Sequence, residues 1–373
     1  MVGVGYSQVG RRLGLSLEEL SVQSSIAAMN DCGLKPADID GVAVHSFMHQ
    51  HTSSTGLADA LGIPDLQWHS GTVDGSAYAV AALHGIAAVA SGSCETCLTV
   101  RTVHQVGSTP ASQPIAEHGV SGVEQYLAPF GAVAPPHWAA FYMQRHIEEY
   151  GTTPEQFGAF AIAQRDYATQ NPEALFRTPL TMDDYLNARY ISKPLRLLDC
   201  DYTIDSSSAL IFTTEERARD LPHRPVIFES WAMGTTPTVD FNLVPSMTHS
   251  APWAAAKHMW ARTDLRASDV NVAGLYDGFT FISLQWLEAL GFCGEGESGP
   301  FVEEGNTRPG GAIPTNTDGG ACNVGRRHGA NFFIEVTRQL RGDCGPRQIP
   351  GAEVGVVSNS VGGFAACALM TVA

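Results

Sequence analysis

Residues 314–331 read Pro-Thr-Asn-Thr-Asp-Gly-Gly-Ala-Cys-Asn-Val-Gly-Arg-Arg-His-Gly-Ala-Asn and lie between a Gly/Pro-rich segment and an apolar run with helical spacing. Asn316, Gly319 and Gly320 predict a backbone that turns tightly and approaches a bound ligand closely. The helix that follows would aim its free N–H groups at this turn, where they favour developing negative charge. His328 lies at the junction, and a histidine side chain ordinarily exchanges a proton near neutral pH. The alternative is a Gly-rich surface loop before an ordinary helix, so the rest of the chain must decide.

The composition is that of a compact globular protein, with 44% hydrophobic and 16% charged residues among 373. A chain of this length can bury a large core and suggests two domains or one large duplicated domain. Thirty-eight acidic residues against 22 basic residues give a net charge of -16. This balance argues against general binding to nucleic acids or anionic membranes, but it allows a small basic pocket for a phosphorylated ligand.

The eight cysteines are scattered at irregular intervals, which favours free thiols in a reducing compartment over a disulfide framework. No charged segment followed by an apolar stretch marks a secretory signal, and no apolar run is long enough to span a bilayer. We therefore expect a soluble, cytoplasmic protein. Because the chain begins abruptly in the strand-like Met1-Val-Gly-Val-Gly, we also expect a few residues to precede it in the natural product.

The apolar periodicity of the first part predicts alternating strands and helices. The predicted elements are a helix at 15–29, strands at 41–46, 66–69 and 96–103, and a helix at 78–90. The helix at 78–90 is apolar on every face, which is typical of a helix in the centre of a fold. Apolar strands separated by helices imply a parallel α/β layer.

The middle of the chain differs, because Pro, Gly, Gln and aromatic residues dominate 105–138. Amphipathic helices are predicted at 138–150, 154–170 and 181–188, so this part is expected to be an insertion outside the sheet. After the insertion the first sheet is predicted to resume with a strand at 208–214. The second half is predicted to contain strands and helices in a similar order: strands at 226–231, 270–275, 353–358 and 364–372, and helices at 250–262, 280–290 and 329–341.

Both halves pass through strands to a Gly-containing turn and then to a buried helix, which indicates a duplication. The two turns lie at 73–76 and 319–329. We therefore divide the chain into an N-terminal half, an inserted loop subdomain and a C-terminal half, at 1–104 with 196–217, at 105–195, and at 218–373 respectively.

Several motifs occur in an order that is known from one family. They are Tyr150-Gly-Thr-Thr-Pro-Glu, Ile191-Ser-Lys-Pro-Leu-Arg-Leu-Leu-Asp-Cys, Asp205-Ser-Ser-Ser-Ala-Leu, Tyr276-Asp-Gly-Phe and Asn316-Thr-Asp-Gly-Gly. Together they resemble the thiolase superfamily over nearly the whole chain, most closely the sterol-carrier-type thiolases and thiolase-like acyl-CoA aldolases. The resemblance implies an α/β thiolase fold: two duplicated βαβαβ-type halves in a five-layer αβαβα arrangement, with an inserted loop subdomain.

The chain departs from a working thiolase at the nucleophile, which should be a cysteine thiolate at the N-terminus of the first buried helix. Here the turn reads Thr72-Val-Asp-Gly-Ser-Ala, so Gly75 falls near the nucleophile position. No cysteine lies between Cys32 and Cys94. The sequence therefore does not support acyl transfer through a covalent thioester.

The second half departs from the family as well. The usual Gly-His-Pro-x-Gly pattern is replaced by Gly325-Arg-Arg-His-Gly, which puts Arg326 at the histidine position and His328 two residues later. The terminal segment that often carries a second cysteine reads Ser358-Asn-Ser-Val-Gly-Gly-Phe.

A thiolase-type pocket without its nucleophile can still stabilise the enolate of an acyl-CoA thioester. Retro-aldol cleavage of a β-hydroxyacyl-CoA needs that stabilisation and a base for the β-hydroxyl proton. The resemblance implies this reaction in steroid side-chain breakdown, which yields a ketone or aldehyde and a short acyl-CoA such as propionyl-CoA. It also implies a homodimer and a small partner with an oligonucleotide-fold domain, together a heterotetramer. We expect no metal, and no cofactor beyond the coenzyme A of the substrate.

Three residues are the catalytic candidates. Tyr276 is the first choice for proton transfer, because it replaces a histidine of the related motif at a strand end; a solvated phenol ordinarily has a pKa of about 10 and would need help from its surroundings. Asp277 either orients Tyr276 or caps the next helix, and capping is the preferred interpretation. His328 protonates the enolate or holds the thioester oxygen. A purely structural hydrogen bond is the alternative for both Tyr276 and His328.

The predicted substrate-binding residues are Asp74, Gly75, Asn316, Gly319, Gly320 and Gly362. Asp74 abuts the vacant nucleophile position, although helix capping would also explain it. His45 and its neighbouring histidines are interpreted as structural or surface residues. Two rival functions stay open: a true thiolase that recruits Cys322 or another cysteine, and a non-catalytic scaffold that binds acyl-CoA or a partner.

Overall fold

The computed structural model describes residues 1–46, 52–72, 78–105, 120–122, 124–238, 241 and 243–373. Its strands are β1 (Gly3–Tyr6), β2 (Gly41–His45), β3 (Trp68–Thr72), β4 (Thr96–His104), β5 (Tyr190–Ser192), β6 (Leu195–Arg196), β7 (Asp205–Thr213), β8 (Val226–Thr235), β9 (Val272–Gly274), β10 (Val354–Val361) and β11 (Phe364–Val372). Its helices are α1 (Leu17–Cys32), α2 (Ser54–Leu61), α3 (Tyr78–Ala90), α4 (Glu124–Leu127), α5 (Pro135–Tyr150), α6 (Pro154–Gln170), α7 (Met182–Asn187), α8 (Glu215–Ala218), α9 (Ala251–Trp260), α10 (Thr280–Ala289), α11 (Ser298–Glu303), α12 (Ala321–Val324) and α13 (Ala330–Arg341).

The first sheet has the strand order β1-β7-β4-β2-β3. Strand β2 pairs in parallel with β3 and β4, as the sequence predicted. Strands β7 and β1 run antiparallel to their neighbours, so the sheet is mixed and the prediction of a parallel layer is wrong for that edge. The reason is topological: β4 and β7 are joined by the long inserted segment, whereas parallel neighbours are usually joined by a single crossover helix.

The second sheet repeats this pattern with the order β8-β11-β10-β9. Strand β11 pairs antiparallel with both β8 and β10, and β9 pairs in parallel with β10, as β2 does with β4. In the first sheet, β3 pairs in parallel with β2. At the corresponding place beside β9, the second sheet has a single parallel bridge between Ala273 and Thr315. The two halves therefore have the same strand order and the same pairing directions, which supports the inferred duplication.

The helices complete five layers. Helices α3 and α13 contact strands of both sheets and lie between them, whereas α1 and α2 cover the outside of the first sheet and α9 covers the outside of the second. The αβαβα arrangement is therefore confirmed. Helix α13 is buried although it carries polar residues, and Glu335 on it forms a buried ion pair with Arg347 at 2.9 Å.

The inserted part carries the helices α4 to α7 and the short hairpin of β5 and β6. Helix α5 begins three residues before the predicted start because Pro135 and Pro136 occupy its first turn, where a missing N–H costs nothing. The domain limits given above stay a prediction. Among the helices of the described residues, none has the combination of length and apolar character that crossing a bilayer requires.

Candidate active site

Tyr276 follows the end of β9, and its backbone is held from several sides. The Asn316 side chain bonds both backbone groups of Leu275: Oδ1 accepts from the Leu275 N–H at 2.7 Å, and Nδ2 donates to the Leu275 carbonyl at 2.8 Å. The N–H of Tyr276 donates to Ser358 Oγ at 3.2 Å. Both amide atoms of Asn316 thus hold the strand end that precedes Tyr276. Its predicted contact with substrate stays a prediction.

The Tyr276 side chain is buried and lies over Gly278, where a Cβ would come within 2.8 Å of the phenol oxygen. Burial raises the pKa of the Tyr276 phenol above its ordinary value; the charge of Asp201 raises it further, and Arg326 opposes that effect. Tyr276 is therefore a neutral phenol near neutral pH. A residue larger than glycine at position 278 would displace its hydroxyl.

Arg326 forms a two-pronged ion pair with Asp201. Its Nε donates to Asp201 Oδ2 at 2.7 Å, and its Nη2 lies 2.5 Å from Oδ1. The N–H of Arg326 also donates to the Tyr202 carbonyl at 2.8 Å. At the position where thiolases carry a histidine, this chain therefore has a paired guanidinium near Tyr276.

His328 has a left-handed backbone, with φ of 52°, and its carbonyl accepts from Asn359 Nδ2 at 2.8 Å. Next to it, a Cβ on Gly329 would lie 1.7 Å from Asn359 Nδ2 and 3.5 Å from Tyr276 Cδ2. Glycine at 329 thus permits the Asn359 contact, and its backbone lies beside the ring of Tyr276.

The imidazole of His328 contacts a buried guanidinium. Nε and Nη2 of Arg101 lie 3.2 Å and 2.7 Å from His328 Nδ1. Burial, Arg101 and then Arg326 hold the pKa of His328 well below its usual range. The expectation that His328 exchanges a proton near neutral pH is therefore wrong, because a second ring proton would place a positive charge beside Arg101 in a buried site.

Arg101 was not among the predicted site residues, and His45 was predicted to be a structural or surface residue. Arg101 lies in the middle of β4 and pairs in register with His45 of β2, whose carbonyl accepts from Arg101 Nη1 at 3.1 Å. His45 Nδ1 contacts Thr72 Oγ1 at 2.9 Å, and burial together with Arg101 lowers the pKa of His45 to about 3. An arginine inside a predicted buried strand was the available signal, since a buried charge requires partners.

Asp277 is directed away from the helix that follows it. Its Oδ1 accepts from the N–H of Ala321, the first residue of α12, at 3.0 Å, and its Oδ2 accepts from Gln164 Nε2 at 2.6 Å. The preferred interpretation, a cap on the next helix α10, is therefore wrong, and neither bond involves the Tyr276 side chain. Burial raises the pKa of the Asp277 carboxyl to about 8.

The predicted binding glycines approach protein groups closely. A Cβ on Gly320 would lie 2.1 Å from Asp277 Oδ2, and one on Gly319 would lie 2.6 Å from the Cβ of Ala168 on α6. Gly362, with φ of 83°, faces the backbone of Phe241. The need for glycine in this loop thus comes at least partly from Asp277 and α6. Asp74 and Gly75 lie outside the described residues.

Cys322, the rival nucleophile, lies on α12 and is buried. Its Sγ donates to the Asp277 carbonyl at 3.6 Å. Burial raises the pKa of this thiol well above its usual range, and the neighbouring Asp277 and Asp201 raise it further. These conditions oppose a thiolate, so the geometry does not favour a thiolase that uses Cys322.

Comparisons with known proteins agree with this geometry. Residues 235–373 match the family model described as thiolase C-terminal domain-like. The steroid side-chain-cleaving aldolase of Thermomonospora curvata is 34% identical, over 92% of this chain and 90% of that protein. The 17-hydroxy-3-oxo-4-pregnene-20-carboxyl-CoA lyase of Mycobacterium tuberculosis is also 34% identical, over 92% and 91%. The solved structure of the Ltp2-ChsH2(DUF35) aldolase superposes with a TM-score of 0.92 at 32% identity, covering 100% of this chain and 97% of that one. The chain belongs to the thiolase superfamily, in the group of thiolase-like aldolases that includes these proteins.

Proposed function

We propose that this protein is a carbon–carbon lyase that cleaves a β-hydroxyacyl-CoA by a retro-aldol reaction. The products are a ketone or aldehyde and a short acyl-CoA such as propionyl-CoA. A steroid side-chain CoA thioester is the expected substrate, since the related aldolase and lyase are named for such compounds. The observation that carries the proposal is that Arg101 contacts His328 and acts electrostatically on Tyr276, while Cys322 is a buried hydrogen-bond donor.

In the proposed mechanism, Tyr276 first loses its phenol proton to solvent, and the phenolate then takes the proton from the β-hydroxyl as the Cα–Cβ bond breaks. The electron pair of that bond becomes the enolate of the thioester, whose oxygen is held by hydrogen-bond donors that include His328. The new carbonyl compound leaves, and a proton added at Cα completes the acyl-CoA. Arg326 assists the first step, because its positive charge favours the phenolate form of Tyr276.

We further propose a cytoplasmic heteromer in which a homodimer of this chain binds a small oligonucleotide-fold partner. The name of the related aldolase structure, which joins Ltp2 to ChsH2(DUF35), supports a partner of this kind. Strand β3 is the last strand of the first sheet and would suit a sheet-edge dimer contact. Coenzyme A enters the site as part of the substrate, and the chemistry needs no further cofactor.

Product analysis on a panel of β-hydroxyacyl-CoA thioesters tests the function. The purified chain, alone and co-expressed with its small partner, should release a carbonyl compound and an acyl-CoA in equal amounts. Intact-mass measurement during turnover should find no acyl adduct. An adduct on a cysteine would indicate a thiolase, and no cleavage of any thioester with the partner present would indicate a scaffold.

A further inference from the structure

We propose that Arg101 is a positioning residue that fixes His328 as its neutral Nε2–H tautomer, so that His328 serves the thioester oxygen as a hydrogen-bond donor and transfers no proton. This inference deepens the proposed function and rests on it. It chooses between the two roles that the sequence left open for His328, and it assigns a role to a residue that no sequence motif identified.

The first step is the hydrogen-bond geometry. Arg101 directs two N–H groups at one ring nitrogen, with Nε 3.2 Å and Nη2 2.7 Å from His328 Nδ1. An arginine side chain has five donors and no acceptor. Nδ1 must therefore accept, and in a neutral imidazole the single ring proton then resides on Nε2.

The second step is that both side chains are held rigidly. Arg101 lies inside β4 with β2 on one side and β7 on the other, and its Nη1 donates to the His45 carbonyl at 3.1 Å. Its own carbonyl accepts from Ser207 Oγ at 3.3 Å. The backbone of His328 is held by Asn359 at 2.8 Å. Neither partner can turn away without breaking these bonds.

The third step concerns the charges that face the ring. Arg101 from β4, Arg326 from the glycine-rich loop and His45 from β2 all act on His328, and each opposes a second ring proton. The buried ring thus keeps one proton across the physiological pH range. A neutral N–H donor in a buried site stabilises a developing enolate oxygen and needs no change of its own protonation state.

The chemical consequence is that hydrogen bonding to the thioester oxygen and proton transfer are carried out by different residues. His328 neither gives a proton to Cα nor takes one from the β-hydroxyl, so proton transfer in the lyase reaction belongs to Tyr276 and to a group other than His328. Removing Arg101 should therefore leave His328 in place but allow it either tautomer.

The test is nitrogen NMR of protein labelled with ¹⁵N-histidine, with the His328 signals identified by their loss in His328→Gln. In the wild type we expect an unprotonated Nδ1 and a protonated Nε2, unchanged from about pH 5.5 to about pH 8. Arg101→Met should give mixed tautomers, with kcat reduced about 100-fold and KM changed less than threefold, an effect typical of a lost oxyanion-hole donor. Arg101→Lys, which offers only donors, should restore the Nε2–H signature and part of kcat. Arg217→Met, which removes a guanidinium paired with Asp38 far along the first sheet, is the matched control and should change neither.

A proton on Nδ1 of His328 in the wild type would overturn the inference, and so would wild-type spectra and kcat in Arg101→Met. If Arg101→Met does not fold, the wild-type spectrum and the Arg101→Lys variant still decide whether Arg101 fixes the tautomer of His328. Absence of cleavage by the wild type, together with the Nε2–H signature, would refute the lyase function but leave the tautomer assignment standing.

Discussion

At the scale of single residues, the site depends on glycines as much as on the groups that carry the chemistry. Tyr276 takes the position of a smaller histidine in the related motif, and Gly278 replaces that motif's cysteine. The two changes belong together, because the phenol lies where a Cβ on residue 278 would be. In the same way, the absence of a Cβ at Gly329 leaves room for the side-chain amide of Asn359. A motif comparison registers such positions as losses, whereas the structure explains them as room for the side chains of Tyr276 and Asn359.

Tyr276→Phe should lower kcat about 100- to 10,000-fold, the range for losing a proton-transfer group. The ring remains, so the thermal midpoint should hardly change. Steady-state kinetics on a cleaved β-hydroxyacyl-CoA provides the measurement. Tyr167→Phe is the control, since its buried hydroxyl has no hydrogen-bond partner in the described part of the chain and its loss should leave kcat unchanged. Wild-type turnover by Tyr276→Phe would remove Tyr276 from the mechanism.

Gly278→Ala should lower kcat about 100-fold, because a displacement of about an ångström is enough for such a loss. The added Cβ would lie 2.8 Å from the phenol oxygen and 3.0 Å from Cζ of Tyr276. A double-mutant cycle with Tyr276→Phe tests the cause. If the alanine acts by moving the hydroxyl, it should cost little further kcat once the hydroxyl is gone; additive losses would contradict this explanation.

At the scale of elements, Asp277 connects two helices that are distant in sequence. It accepts from Gln164 on α6 and from Ala321 at the start of α12, so it ties the inserted part to the glycine-rich loop. The raised pKa of its carboxyl has a stability consequence. The folded state binds this proton more tightly than the unfolded chain does, so the resulting stabilisation is complete below the ordinary pKa of aspartate and is lost as the pH rises through about 8.

Asp277→Asn removes this titration, so the stability of the variant relative to the wild type should rise between about pH 5 and about pH 9. Each pKa unit corresponds to about 1.4 kcal/mol, and we expect a change on the order of 2 kcal/mol or more. Gln164 can rotate its amide to bond the new Asn side chain, since its Oε1 has no partner in the described residues. Urea unfolding at several pH values measures the effect. The exposed Asp59→Asn should show no such trend, and a flat difference for Asp277→Asn would contradict the prediction.

Elements with strong periodicity could be predicted from sequence, and contacts between distant segments could not. Helix α3 and helix α6 begin and end where their apolar spacing predicted. Helix α2 and the β5–β6 hairpin were missed, because each is too short to establish a period. Tyr276 and His328 were found through their motifs. The contact of His328 with Arg101, 227 residues earlier, has no counterpart in local spacing and depends on the packing of the two halves.

At the scale of the whole molecule, the two sheets enclose α3 and α13, and the inserted part is anchored to the second half by a buried polar chain. Thr152 Oγ1 lies 2.8 Å from His146 Nδ1, and His146 Nε2 lies 3.1 Å from Glu288 on α10. Glu288 also accepts from Ser298 Oγ at 2.5 Å. This series of hydrogen bonds connects α5, α10 and α11 and holds the inserted part against the half that supplies Tyr276.

Glu288→Ala should destabilise the protein by about 3 kcal/mol or more, because it leaves several buried donors unpaired. Urea unfolding is the measurement. Glu303→Ala is the control: it removes a bond from Gln156 between α6 and α11 at the surface, and it should cost no more than about 0.5 kcal/mol. Equal effects of the two substitutions would show that the burial of these hydrogen-bonded groups adds nothing to the free energy of unfolding.

The bond between Arg101 and His328 joins the two copies of the duplicated unit, since the guanidinium comes from the first and the imidazole from the second. Neither copy alone therefore contains both residues of this pair, and the two copies have to be inherited together. A chimera that takes one copy from a relative without this pair would still fold. It would lack either the guanidinium that donates or the imidazole that accepts. Recombination between such genes is thus restricted to exchanges that carry both partners.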